Sequence, residues 1–238
     1  MNNTEQLINE VIGSGRNAMD EYEGNRLLSR HGIPMAETVL CRDLDRALEA
    51  ADSIGYPVVM KIVSPDILHK TEAGCVRIGI KDQAELKEAY AAIIKNARLY
   101  NADANIRGVL VQEMLEPGLE LIFGVKKDPQ FGHVVLFGTG GIYVEIIRDV
   151  SLRLVPIKAG DALEMIDETL LSPVFSGARG KKYSRDTVVS ILMALSQLVQ
   201  EHPVIEEIDI NPFVLYEDGM TSKGVDAVVV LSGINRPD

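Results

Sequence analysis

The pattern of apolar residues changes once along this chain, at Pro117-Gly118, and that change restricts the folds open to it. Before it, helical and strand periodicities alternate. A helix is expected over 4–12, where Leu7, Ile8, Val11 and Ile12 share a face. A second runs from about Asp20 to His31, where Gly32 and Pro34 stop it. A strand over 38–41, a helix capped by Asp43 and running to Ile54, strands over 58–63 and 76–80, a helix over 83–99 and a strand over 108–114 complete this half. Beyond Gly118 come strands over 119–126, 134–137, 143–147 and 152–156, joined by Gly-rich or charged turns. Helices over about 161–171 and 186–200 follow, then strands over 204–210, 213–216 and 225–231. Mixed helices and strands, then a mostly antiparallel sheet carrying helices, give an α/β (α+β) class with two lobes. The expected division is an N-terminal helix at 1–18 packing on the second lobe, a first lobe at 19–113 and a second at 114–238.

Several function classes are excluded by composition. The 238 residues carry a net charge of −11 with no Lys/Arg run to offset it, which disfavours nucleic acid. An anionic ligand must then be held by a few placed cations. The longest apolar runs, such as 227–231, fall far short of the ~20 residues that cross a bilayer, so no membrane span is expected. Cys41 and Cys75 form no ligand pattern and no secretory signal precedes them, which points to reduced thiols and a cytoplasmic location.

The segment Glu207-Ile208-Asp209-Ile210-Asn211-Pro212 and the later Gly224-Val225-Asp226-Ala227-Val228 carry the strongest physical argument. Asp209 and Asn211 are two apart on a strand and share a face. A two-residue turn at Asp218-Gly219 would set Asn211 opposite Asp226. Three oxygen-bearing side chains would then converge on an otherwise apolar sheet, an arrangement that a hard cation such as Mg²⁺ stabilises. The alternative is that they are strand-edge and turn polar groups, and Pro212, which lacks a ladder donor, implies an edge strand or a break.

Lys61 lies in the apolar run from Val58 to Val63, where a buried ammonium needs an anion: a nucleotide phosphate or an internal carboxylate. Phe137-Gly138-Thr139-Gly140-Gly141 leaves a strand and offers backbone N–H groups suited to phosphate. The segment lacks the third glycine of the dinucleotide fingerprint, and no GxxxxGK[ST] occurs, which disfavours Rossmann and P-loop readings. His69, in a polar loop eight residues after Lys61, is either a surface residue or a nucleophilic imidazole near the same phosphate.

Taken together, these segments resemble the ATP-grasp subunit of ADP-forming acyl-CoA synthetases, also called acetate–CoA ligases (ADP-forming), relatives of succinyl-CoA synthetase. The likeness runs from about Asp20 to Leu231. It rests on Gly55-Tyr56-Pro57-Val58-Val59-Met60-Lys61, the loop 64–74, Val111-Gln112-Glu113-Met114, Glu120-Leu121-Ile122-Phe123-Gly124-Val125, Asp128-Pro129-Gln130-Phe131-Gly132, the glycine segment 137–141, and residues 207–212. Cys75 stands where the family pattern has a second glycine and His133 where it has proline.

The resemblance implies an ATP-grasp fold with ADP or ATP between two lobes. Lys61 would lie on the phosphates, Glu113, Met114 and Leu115 at the adenine-side hinge, Glu120 toward the ribose, and Gly138, Gly140 and Gly141 at the phosphates. Mg²⁺ would be held by Asn211 and Asp226 with Asp209 beside them, and Arg153 would stabilise the transferring phosphoryl group. His69 matches a histidine that relays the phosphoryl group to ADP. The first phosphorylated histidine belongs to a CoA-binding α subunit, expected in an α2β2 assembly. Two alternatives are a non-catalytic nucleotide-sensing module and a stand-alone ATP-dependent carboxylate ligase.

Overall fold

The computed structural model describes residues 3–67, 69–141, 149–177, 180, 182–217 and 220–232. It divides into two compact units, each discontinuous in sequence: a larger one of residues 1–19, 23–35 and 117–238, and a smaller one of 20–22 and 36–116. The sequence reading placed residues 23–35 with the first lobe. They group instead with the larger unit, because Leu27, Leu28 and Ile33 are fully buried in its core.

In the smaller unit, strands β2 (Thr38–Cys41), β3 (Val58–Val63), β4 (Val76–Ile80) and β5 (Gly108–Glu113) form an antiparallel sheet in the order β2-β5-β3-β4. Helices α3 (Leu44–Ile54) and α4 (Gln83–Tyr100) supply Ala47, Ala50, Ala51, Leu86 and Ile93 to its core. Their starts follow from capping. Asp43 accepts from the Arg46 N–H at 2.8 Å, and Asp82 from those of Ala84 and Glu85 at 2.8 and 2.9 Å. β3 lies between two partners and every residue in it is buried, as an unbroken apolar run predicts.

The larger unit carries α1 (Asn3–Gly13), β1 (Ala18–Met19), α2 (Glu21–Arg30, most of it) and a seven-stranded sheet. The other strands are β6 (Leu119–Asp128), β7 (Gly132–Thr139), β8 (Val150–Leu154), β9 (Ile205–Leu215), β10 (Lys223–Gly224) and β11 (Ala227–Leu231). Their order is β1-β11-β9-β6-β7-β8, with β10 also paired to β9. Helices α5 (Ala159–Glu168), α6 (Ser172–Phe175) and α7 (Arg185–Glu201) supply further core residues, Met165, Leu192 and Leu195 among them. Phe123 packs against Phe137 and Phe213 with centroids 5.4 and 5.3 Å apart. Burying each such ring contributes about 1.5–3 kcal/mol.

Two expectations need correction. The strands expected over 204–210 and 213–216 are one strand, β9, and it is central. Pro212 sits where the β6–β9 register shifts between Leu121 and Phe123, so a bulge absorbs its missing donor without ending the strand. β8 begins two residues earlier than expected, and the dipeptide strand β1 and the short α6 were not foreseen. The strand expected over 143–147 and the Asp218-Gly219 turn lie outside the described residues.

Candidate functional site

β9 and β11 place the carboxy-terminal oxygens. Their antiparallel register pairs Ile210 with Ala227 and Asp209 with Val228, and the next step is Asn211 opposite Asp226, whose carbonyl accepts the Asn211 N–H at 3.3 Å. The register matches the one expected from the sequence, and β10 keeps it through Phe213 and Gly224. Ile210 and Ala227 point into the core. Strand alternation then sets Asp209, Asn211 and Asp226 on the opposite face. Ile210 and Phe213 are both fully buried although three residues apart, because the bulge at Pro212 resets the alternation after Asn211. Burial pushes the Asp209 carboxyl above its ordinary value, and the neighbouring Glu207 pushes it further.

The glycine segment meets this face, although by a different route from the one expected. Gly138 lies within β7, paired to Ile122 and Val150. The Thr139 N–H donates to Asp149 O at 3.1 Å, Gly140 N–H to Glu120 O at 2.9 Å, and Gly141 N–H to Asn211 Oδ1 at 3.0 Å. These three donors are occupied within the protein, which overturns the expectation that they stand exposed for a phosphate. The glycines answer to packing instead: a Cβ at Gly138 would strike Asp149 O, one at Gly140 the Leu121 backbone, and one at Gly141 the Glu120 carboxylate. Gly141 also has φ +77°, in the left-handed region. Glu120, Gly141, Asn211 and Asp226 are thereby brought together.

A groove of about 490 Å³ opens on the same face, where Ile122, Gly124, Leu136 and Leu152 lie with Asp209 and Lys126. This apolar floor was not foreseen, though the period-two spacing of Leu136 with Val134 and of Leu152 with Val150 and Leu154 signals it. Arg153 is not part of it. It shares with Ser151 the face of β8 that meets α5, and its guanidinium bonds both Glu168 oxygens at 2.6 and 2.9 Å and Glu164 at 3.5 Å. Leu152, between them, faces the groove. The structure therefore separates Arg153 from Asp209 and Asn211 by the thickness of the sheet, contrary to the expected phosphoryl contact.

In the smaller unit, Lys61 is 7% exposed and its Nζ lies 2.8 Å from Glu21 Oε1, while Lys70 Nζ lies 2.7 Å from Glu21 Oε2. The internal carboxylate, one of the two anions the sequence left open, is present. Neither Glu21 nor Lys70 was singled out in the sequence, since Glu21 stands 40 residues from Lys61. His69 is exposed in a compact loop, its carbonyl accepting from Ala73 N–H at 3.0 Å. Glu113 closes β5 and its side chain accepts the Glu37 N–H at 3.1 Å, with Met114 exposed and Leu115 half-buried beyond it.

Comparison with known proteins is consistent across sequence and structure. Residues 10–231 match the ATP-grasp domain family. The chain is 46% identical to the β subunit of acetate–CoA ligase [ADP-forming] II from Pyrococcus furiosus, over 96% of this chain and 98% of that one. A solved structure of Ca. Korarchaeum cryptofilum dinucleotide-forming acetyl-coenzyme A synthetase 1, with coenzyme A and Ca-AMPCP, superposes with a TM-score of 0.90 at 36% identity. It covers 96% of this chain and all of that one. Another structure of the same enzyme holds coenzyme A and Mg-AMPPCP with its phosphohistidine segment pointing towards the nucleotide site. It gives a TM-score of 0.84 at 35% identity, with the same coverage. Among the described residues no helix is long and apolar enough to cross a membrane.

Proposed function

The chain belongs to the ATP-grasp family, and from that premise we propose that it is the nucleotide-binding β subunit of an ADP-forming acetate–CoA ligase. The reaction is acyl-CoA, ADP and phosphate to acid, coenzyme A and ATP, reversibly. The observation that carries this reading is the pairing of Asn211 with Asp226 on the open face of the large sheet, with Asp209 on the same face. Nearly full-length identity to a named β subunit supports it, as does the fit to structures holding coenzyme A and a nucleotide analogue.

The donors fit magnesium. Two carboxylates and an amide oxygen are hard ligands, Asn211 Oδ1 keeps a lone pair beyond its bond to Gly141, and a cation relieves the raised Asp209 carboxyl. Asn211 and Asp226 hold the ion and Asp209 stands beside them. When bound, Mg²⁺ neutralises charge on the nucleotide's terminal phosphates. Gly138, Gly140 and Gly141 act indirectly, by letting the chain pack closely enough for Gly141 to orient the Asn211 amide. Glu120 takes the ribose hydroxyls, and Glu113, Met114 and Leu115 border the adenine. Lys61 directs its ammonium to phosphate, held in place by one Glu21 oxygen while Lys70 bonds the other.

A CoA-binding α subunit supplies the phosphoryl group, in an α2β2 complex of the cytoplasm. The P–N bond to that subunit's histidine breaks as one forms to a ring nitrogen of His69. The second P–N bond then breaks as a terminal oxygen of ADP bonds phosphorus, and the imidazole recovers its lone pair.

Reconstitution with the CoA-binding partner tests the assignment. ATP formation from acetyl-CoA, ADP and phosphate is expected to fall about 100-fold or more in D226N, with a higher Mg²⁺ requirement. Unchanged Mg²⁺ dependence in both D226N and N211A would overturn the metal site. Turnover by the chain alone would identify a self-contained carboxylate ligase, and nucleotide binding without turnover in the complex a sensing module. Retained phosphoryl transfer in H69A would remove the relay.

A further inference from the structure

Two helices of the larger unit end side by side in a cluster that the proposed reaction does not use. His31 follows the last residue of α2, Glu201 is the last residue of α7, and His202 is its C-cap. One ring nitrogen of each histidine and one Glu201 carboxylate oxygen lie within 4.8 Å of one another. The two rings stand edge to face, 5.9 Å apart at 85°.

The hydrogen bonding around the two rings suits metal ligands. His31 Nδ1 lies 2.9 Å from Leu27 O, and a carbonyl accepts only from a donor, so Nδ1 carries a proton and Nε2 is the nitrogen left to ligate. A backbone carbonyl on the far ring nitrogen is also the usual device for orienting a metal-bound histidine. His202 Nε2 is buried, with no hydrogen-bond partner among the described residues. Such an orphan is costly unless something occupies it. The Gln197 amide donates to Glu201 Oε1 at 2.7 Å.

Local charge favours a cation independently of the ligands. The carbonyl ends of two helix dipoles converge here, and Glu5 of α1 adds negative charge near His202.

We propose that His31, His202 and Glu201 bind a divalent transition-metal ion, Zn²⁺ by ligand type, with water in the fourth position, and that the ion clamps the end of α2 to the end of α7. Tetrahedral zinc at about 2.0–2.1 Å sets its donors about 3.4 Å apart. The exposed Glu201 side chain can close the remaining gap by a change of rotamer that releases Gln197. Imidazole nitrogen separates this site in chemistry from the all-oxygen magnesium site. Position separates it too: His202 precedes β9 and Asn211 is the seventh residue along it, about 20 Å away at strand rise.

The test uses the full chain, stripped with chelator and held in excess Mg²⁺. Titration with Co²⁺ is expected to give the visible absorption of a tetrahedral nitrogen–oxygen site, saturating at one equivalent and bleached by Zn²⁺. Zn²⁺ is expected to raise the melting temperature. H31A should weaken Zn²⁺ binding at least about 100-fold and E201Q about 10-fold, while H133A binds as wild type. E201Q alters an exposed side chain and keeps the test open if a histidine variant does not fold. Absence of the Co²⁺ absorption, or equal Zn²⁺ affinity in wild type, H31A and E201Q, would overturn the proposal.

Discussion

At the scale of single residues, Lys61 shows how a buried charge is kept. Its ammonium and the Glu21 carboxylate are 9% and 8% exposed as side chains, so each is removed from water and depends on the other. Removing one member of such a pair leaves an uncompensated buried charge, at a cost of about 3–5 kcal/mol. K61A is expected at the lower end, since Lys70 still reaches Glu21. Urea unfolding of K61A beside K61M/E21Q checks this, with the double variant recovering much of the loss. Gly140 makes a second case. An added Cβ meets the Leu121 backbone, which cannot rotate away, so G140A is expected to cost about 3 kcal/mol and to raise the Mg²⁺ requirement by displacing Gly141 from Asn211. Asn211 and Asp226 were legible because strand register is arithmetic over a short separation. The partner of the Gly141 N–H was not, because Asn211 lies 70 residues further along the chain.

At the scale of elements, β8 is fastened to α5 chiefly by the Glu168 carboxylate. Glu168 accepts from Arg153 and from Ser151 Oγ, and Arg153 first, then Ser151, hold its pKa down from 4.5 to about 2. A depressed carboxyl pKa stabilises the folded chain fully above the unfolded value. That stabilisation is lost as pH falls through the folded one. The melting temperature of E168Q is therefore expected below wild type at pH 6 and above, with the difference vanishing between about pH 4.5 and pH 2. The helix that Asp43 caps was readable from that cap. β1 was not, because two residues carry no periodicity and the strand exists only through its pairing with β11. Pro212 misled for a related reason: a missing donor predicts an edge, and only the partner strand reveals the bulge that accommodates it.

At the scale of the whole molecule, two cores are built separately, one centred on Phe123, Phe137 and Phe213 and the other on Met60, Ile62 and Ile93. Leu192 and Ile93 are fully buried in the larger and smaller core, and replacing either by alanine costs about 2–5 kcal/mol. Hydrogen exchange followed by mass spectrometry is expected to show L192A loosening amides of the larger unit and I93A those of the smaller. Global loss of protection in both would show the chain to be one cooperative block. The change of pattern at Pro117-Gly118 made the later boundary legible. The excursion of residues 20–22 into the smaller unit was not, because it is made by side-chain partners of Asp20 and Glu21 far along the chain.

The pairing of Ala18 with Val230 joins strands more than 200 residues apart along the chain. A ribosome adding about 5–20 residues per second needs roughly 10–40 s to travel between them. Throughout that interval β1 waits without its β-sheet neighbour, and the larger unit can close only after Val230 has been made.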